Sequence, residues 1–208
     1  MKSESVRKLT QYGVLVAFIL ILGLTPVGYI KLSPAASITL VHLPVIIGVY
    51  FLGLQGGVVL GLFFGLTSLI SCFLNPDGIA AIVLGTNTGF GLYNIVLILC
   101  ILFLPRVLVG AFSALVYRAL ARPERSNVLA MAVAGVVGSL TNTVFLLGGL
   151  YLLAFEQTAA TFGVAGSALL ATFLSIISVN GLLEAVAAGI ICPAVGKALQ
   201  ATALLAKK

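Results

Sequence analysis

The sequence predicts an all-α integral membrane protein with six transmembrane helices in a single membrane domain, residues 1–208. Hydrophobic residues make up 61% of the chain, charged residues only 8%, and the mean hydropathy is +1.25. The apolar residues also form long uninterrupted runs, which are typical of transmembrane helices. Because a bilayer core takes about 20 residues per helix, the chain has room for about six helices joined by short loops.

The six helices are predicted between breaks rich in proline, glycine and polar residues. They cover residues 9–30, 37–53, 55–74, 92–121, 127–153 and 164–200. The first is interpreted as a retained helix, because no small-residue cleavage site ends its apolar run. The fourth and sixth are longer than a minimal span, so they must tilt, kink or project from the lipid.

The distribution of basic residues predicts the orientation. With six spans, nine basic residues fall on one side: Lys2, Arg7, Lys8, Arg118, Arg122, Arg125, Lys197, Lys207 and Lys208. Only Lys31 lies in an opposite loop. The positive-inside rule therefore predicts that both termini are cytoplasmic. It also accounts for the net charge of +6 without nucleic acid as a partner.

The outward loops are predicted at residues 31–36, 75–91 and 154–163. The middle loop is the longest and combines glycines with a short polar run that includes Asn87, a candidate ligand contact. Such a loop either closes over a pocket or simply connects two helices, and the sequence leaves both interpretations open.

Small residues recur at four-residue spacing on three predicted helices, which places each set on one helical face. They are Gly53, Gly57, Gly61 and Gly65 in helix three, Ala134 and Gly138 in helix five, and Gly13 and Ala17 in helix one. For helices three and five, ordinary packing within one bundle is the simpler interpretation.

Polar side chains at membrane depth are functional candidates by default. They are His42 in helix two, Asn94 and Arg106 in helix four, Thr141, Asn142 and Thr143 in helix five, and Asn180 and Glu184 in helix six. With a rise of about 1.5 Å per residue, Arg106 lies about 18 Å from Arg118, Asn142 about 22 Å from Asn127, and Asn180 about 25 Å from Lys197, each along its own helix. We therefore expect them to converge on one cavity.

Arg106 has two possible roles. In the first, Arg106 pairs with Glu184 and only joins helix four to helix six. In the second, Arg106 faces the cavity and binds an anionic ligand through its planar guanidinium. An unpaired arginine at the bilayer centre costs at least about 2.5–3.5 kcal/mol, so some partner is needed. Pro105 removes a backbone donor just before it and is expected to kink the helix towards the same cavity.

Motifs for other functions are absent from the sequence. There is no P-loop, no H-E-x-x-H, no G-x-S-x-G and no evident triad partner for His42, so an enzyme is disfavoured and no cofactor or metal is predicted. The three cysteines lack C-x-x-C spacing and are interpreted as buried apolar residues. No inverted repeat of broken helices is evident, which weakens the case for a self-sufficient secondary transporter.

Four stretches together resemble the substrate-binding S-components of energy-coupling factor (ECF) transporters, most closely the pantothenate-specific members. They are residues 37–70, 104-LPRVLVG-110, 138-GSLTNTVFLLGGLY-151 and 180-NGLLEA-185, in collinear order. The resemblance implies a multi-pass protein of a prokaryotic plasma membrane that captures a vitamin outside the cell. Its partners would be a transmembrane coupling subunit, two cytoplasmic ATPase subunits and the lipid bilayer.

The resemblance also implies that Gly13-x-x-x-Ala17 docks the coupling subunit, with glycine at a position where alanine is usual. A vitamin such as pantothenate has one carboxylate, an amide, two hydroxyls and a gem-dimethyl group. Arg106 would bind the carboxylate, and Asn142 and Asn180 the amide and hydroxyls, with His42, Thr141 and Glu184 as further candidates. The alternatives are another vitamin such as folate, a stand-alone secondary transporter of a small anion, or a scaffold in which the polar groups only join helices.

Overall fold

The structure is a computed structural model that describes residues 2–33, 36–86, 89–122 and 127–205. Its helices are α1 Lys2–Leu24, α2 His42–Leu74, α3 Gly78–Leu84, α4 Leu92–Leu97, α5 Leu104–Leu120, α6 Val128–Leu153, α7 Phe155–Phe162, α8 Gly166–Ile176 and α9 Leu182–Leu205. In the described part of the chain, five helical stretches are long and apolar enough to cross a membrane: Glu4–Leu24, His42–Leu74, Leu92–Leu120, Val128–Leu153 and Gly166–Gln200. The prediction of an all-α membrane fold is confirmed.

A short antiparallel β-hairpin lies between α1 and α2, where the sequence predicted helix as far as residue 30. Its strands are β1, Tyr29–Ser33, and β2, Ala36–Thr39, with Tyr29 opposite Thr39. Helix α1 ends at Leu24 because Thr25 precedes a proline and adopts an extended conformation, φ −115° and ψ 155°. The hairpin brings backbone hydrogen-bonding groups close to the neighbouring helices, since the Thr39 N–H donates to Glu184 in α9.

Helix α2 reverses direction at Gly53. This glycine has φ 66° and ψ −157°, a conformation that other residues adopt only with strain. A Cβ built on Gly48 would lie 2.2 Å from the Leu60 side chain, although twelve positions of a straight helix would separate them widely. The chain therefore bends back at Gly53, which divides α2 into a first arm, residues 42–52, and a second arm, residues 54–74.

Two stretches of π-helix interrupt the long helices that the sequence predicted as continuous. The first π-segment, Ile98–Phe103, joins α4 to α5, and the second π-segment, Ile177–Gly181, joins α8 to α9. The predicted outer loops around 75–91 and 154–163 contain the short helices α3 and α7. Asp77 begins α3 by accepting a hydrogen bond from the Ala80 N–H at 2.8 Å.

Gly57 and Gly61 of the predicted glycine stripe pack against α5, which confirms these positions as a packing face, whereas Gly53 lies at the bend without a close contact among the described residues. A Cβ on Gly57 would lie 2.6 Å from the Gly110 carbonyl oxygen, and one on Gly61 would lie 2.5 Å from the Arg106 carbonyl oxygen. Such contacts leave no room for a methyl group. Glycine at these positions therefore allows the backbones of α2 and α5 to pack directly against each other.

Replacing Gly110 by alanine is expected to lower the melting temperature of the detergent-purified protein. The new Cβ would lie 2.0 Å from the Gly57 carbonyl oxygen, and such overpacking costs about 1–3 kcal/mol. Gly148→Ala in α6 is the matched control, because nothing lies within 4 Å of its Cβ position. The control should melt at the same temperature or higher, since alanine favours helix over glycine. Equal melting temperatures for the two variants would contradict close packing at Gly110.

Two apolar clusters occupy opposite ends of the bundle. One includes Phe64, Val109 and Met131, and the other includes Ile101 and Leu150. The long helices run from one cluster to the other, so their polar residues form a layer between the two clusters. This layer contains the candidate site.

Candidate ligand-binding site

A cavity of about 580 Å³ lies in the polar layer. Its walls come from the end of α1, the β-hairpin, the second arm of α2, α5, α6, the second π-segment and α9. The polar residues that line it are Thr25, Tyr29, Thr39, Ser68, Ser71, Asn75, Asp77, Arg106, Asn142, Thr143, Asn180 and Glu184. Cavities of this size, with apolar walls and a few convergent polar groups, are typical of small-molecule sites.

Arg106 is a buried cation whose side chain is held on one side and free on the other. It is 6% exposed, and its Nη1 donates to the Ile101 carbonyl oxygen at 2.7 Å. The guanidinium carbon lies 5.4 Å from the centre of the Phe64 ring, a cation–π distance. Its Nε–H has no hydrogen-bond partner. The site therefore presents a desolvated positive charge to the cavity.

Glu184 is bonded to neutral groups rather than to Arg106. Its Oε1 accepts from the Thr39 backbone N–H at 2.5 Å, and its Oε2 accepts from the Thr143 hydroxyl at 3.3 Å. Within the described part of the chain, no ion pair joins Glu184 to Arg106. The Glu184 carboxylate thus links the β-hairpin and α6 to α9. The described structure therefore does not contain the ion pair that was one of the two roles considered for Arg106.

Four cavity residues carry a buried polar atom without a hydrogen-bond partner. They are the Tyr29 hydroxyl, Arg106 Nε, Asn142 Oδ1 and Asn180 Oδ1. Each such atom costs about 1–3 kcal/mol unless something satisfies it. Burial raises the pKa of the Tyr29 hydroxyl, so this group remains protonated and able to donate. Two donors and two acceptors thus lie unpaired on residues that line one cavity, as in a site built for a polar ligand.

The other candidates among the described residues, His42, Thr141 and Asn94, lie outside this cavity lining. His42 is buried at the start of α2, and Thr141 donates its hydroxyl to the Val137 carbonyl oxygen at 2.7 Å. Asn94 joins α4 to α3, because its side chain donates to the Val83 carbonyl oxygen and accepts from the Gly91 N–H. Asn87 lies outside the described residues.

Sequence reasoning missed several lining residues. Tyr29 and Thr39 come from the β-hairpin, where no helical periodicity indicates which way a side chain faces. Ser68 and Ser71 could have been found, because they are three residues apart in an apolar helix and therefore share one face.

Gly13 and Ala17 lie on the exposed face of α1. A Cβ on Gly13 would meet nothing within 4 Å, and the neighbouring Leu9 and Phe18 are 73% and 53% exposed. Helix α1 therefore presents a broad apolar surface that the other described residues do not cover.

Fold and cavity together define a multi-pass membrane protein that encloses a cavity lined by polar groups. The family model for the substrate-specific component of ECF transporters matches residues 7–196, and the chain belongs to this family. The chain is also similar to the pantothenic acid transporter PanT of Lactococcus lactis subsp. cremoris (strain MG1363). The two are 32% identical over 169 residues, which cover 77% of this chain and 76% of that protein. The family consists of transport proteins of the plasma membrane rather than enzymes.

Proposed function

We propose that this chain is the pantothenate-binding subunit of an ECF-type importer. The observation that carries the proposal is that four residues of one cavity lining, Arg106 among them, carry an unpartnered buried polar atom, in a member of a family of substrate-specific components. The similarity to a protein named as a pantothenic acid transporter supports the choice of vitamin.

The chemistry of pantothenate matches the groups that the cavity leaves free. Its carboxylate would accept from Arg106, and its amide N–H and two hydroxyls would donate to Asn142 Oδ1 and Asn180 Oδ1. The Tyr29 hydroxyl would donate to a remaining carbonyl or hydroxyl oxygen. Leu102, Leu146 and other apolar lining residues would contact the gem-dimethyl group. His42 and Thr141 are left out of this site, because they do not line the cavity.

The proposed topology has six spans with both termini in the cytoplasm. It counts the two arms of α2 separately, which the reversal at Gly53 supports. The excess of basic residues at the termini and in the loop before α6 supports a cytoplasmic position for both ends. The cavity lies at the end of α1 away from the N-terminus, so it would open towards the outside, where a vitamin is captured.

The proposed partners are a transmembrane coupling subunit and two cytoplasmic ATPase subunits. The substrate-specific component family supplies the general expectation of an energising module. The uncovered face of α1 around Gly13 and Ala17 is the proposed docking surface for the coupling subunit, because small residues let a partner helix approach closely.

Native mass spectrometry of the gently purified protein is expected to show one bound pantothenate. A desolvated site with these unpartnered groups should retain its ligand when detergent replaces lipid. Cells that express this chain alone should bind labelled pantothenate but barely accumulate it, whereas co-expression of an energising module should restore uptake. A different co-purified vitamin would contradict the substrate, and accumulation by the chain alone would contradict a binding subunit.

A further inference from the structure

We propose that Pro105 is a positioning residue for Arg106. By withholding a backbone N–H, it leaves the Ile101 carbonyl free to hold Arg106 Nη1, which fixes the guanidinium in the position where it binds the ligand carboxylate. This inference deepens the proposed function and rests on it for the identity of the ligand, although the contact between Arg106 and Ile101 is a property of the ligand-free protein.

The backbone argument starts from the hydrogen-bond register. In an α-helix the N–H of residue 105 would donate to the carbonyl of residue 101, four positions earlier. Proline has no N–H, so that donor is missing. Just before it, the Leu104 N–H reaches five residues back to the Leu99 carbonyl oxygen, in the π register. The Ile101 carbonyl therefore lacks the donor that an α-helix would give it.

The guanidinium supplies the replacement donor. Nη1 of Arg106 donates to the Ile101 oxygen at 2.7 Å, and the bond is fully buried. The Phe64 ring, with its centre 5.4 Å from the guanidinium carbon, supports the planar group, and the backbone of Gly61 packs against the Arg106 carbonyl. The guanidinium is thus fixed by contacts with both its own helix and α2.

The fixed bond leaves enough guanidinium donors for a ligand. A carboxylate binds a guanidinium through two parallel N–H donors, either Nη1 with Nη2 or Nε with Nη2. Nη1 uses one of its two N–H donors on Ile101, and neither Nε nor Nη2 has a hydrogen bond among the described residues. Two parallel donors therefore remain for a carboxylate while the group is held in place.

A double-mutant cycle in the ligand-free protein tests the positioning step. Pro105→Ala adds an N–H that competes with Arg106 Nη1 for the Ile101 oxygen. In an Arg106→Met background that competition is gone, so the added N–H should raise the melting temperature by about 2–4 °C more than in the wild type. Equal shifts in the two backgrounds would overturn the proposal. Pro105→Ser carries the same added N–H and provides an independent second variant.

The effect of Pro105 on binding is tested by comparing the affinities for pantothenate and for an analogue in which a primary alcohol replaces the carboxylate. Pro105→Ala should weaken pantothenate binding about tenfold while changing the affinity for its primary-alcohol analogue less than about twofold. Pro193→Ala, which alters a proline inside α9 away from the cavity lining, should change neither affinity.

Two outcomes of this binding experiment separate the inference from the proposed function. An equal loss for both ligands would overturn the positioning role, because a general structural defect does not distinguish the carboxylate from the alcohol. A wild-type protein without preference for the carboxylate would contradict the carboxylate role in the proposed function. The stability cycle would then still decide whether Pro105 holds Arg106.

Discussion

Arg106→Met is expected to lower the affinity for pantothenate by about 100-fold, because charge-assisted hydrogen bonds contribute up to about 3 kcal/mol each. Methionine retains an apolar stem against Phe64 and removes the charge, so the change isolates the electrostatic contact. Equilibrium binding of labelled pantothenate to the purified protein measures the loss. Arg106→Lys should bind nearly as weakly, because its ammonium is a point charge and cannot present two parallel donors.

Arg106→Met should also stabilise the ligand-free protein. Arg106 is buried in the described structure without an acidic partner, and such a charge is costly in a membrane. The melting temperature without ligand should therefore rise in Arg106→Met, while the increase on adding pantothenate should disappear. Arg118→Met, at the exposed end of the same helix, is the control and should alter neither quantity. Full ligand-induced stabilisation of Arg106→Met would refute the role of the arginine.

The depth of the site along the helices could be predicted from the sequence, but the direction in which each side chain points could not. A helical rise of about 1.5 Å per residue fixes how deep Arg106, Asn142 and Asn180 lie, and all three line the cavity. Rotation about the helix axis depends on packing, which a single sequence does not contain. Thr141 therefore bonds to its own helix while Asn142, one residue later, faces the cavity.

The fold, like the site, could be predicted from the sequence only in part. Hydropathy predicts the apolar stretches well, because insertion into lipid depends mainly on composition over about 20 residues. It is insensitive to the hydrogen-bond register within a helix. Neither π-segment could be predicted in this way, and both lie beside functional candidates, the first before Arg106 and the second around Asn180. The β-hairpin was missed because its strands are too short for a clear alternating pattern.

Gly13→Leu is expected to reduce pantothenate uptake to background while leaving the binding affinity unchanged. A leucine on this face of α1 would keep a partner helix from approaching closely, since small residues allow that approach. Within the chain the substitution is accommodated, because nothing lies within 4 Å of the Cβ position. Uptake by cells that also contain the energising module, compared with binding to the purified variant, separates the two effects.

Gly148→Leu is the matched control for this prediction, because its Cβ position in α6 is equally free of contacts within the chain. It adds the same side chain to a surface outside α1, so uptake and binding should both persist. If Gly13→Leu transported normally, the coupling subunit would have to dock elsewhere. If it lost binding as well as uptake, the residue would affect the fold of the subunit rather than its assembly. Only loss of uptake with retained binding places the docking surface on α1, because an assembly defect leaves the isolated cavity intact.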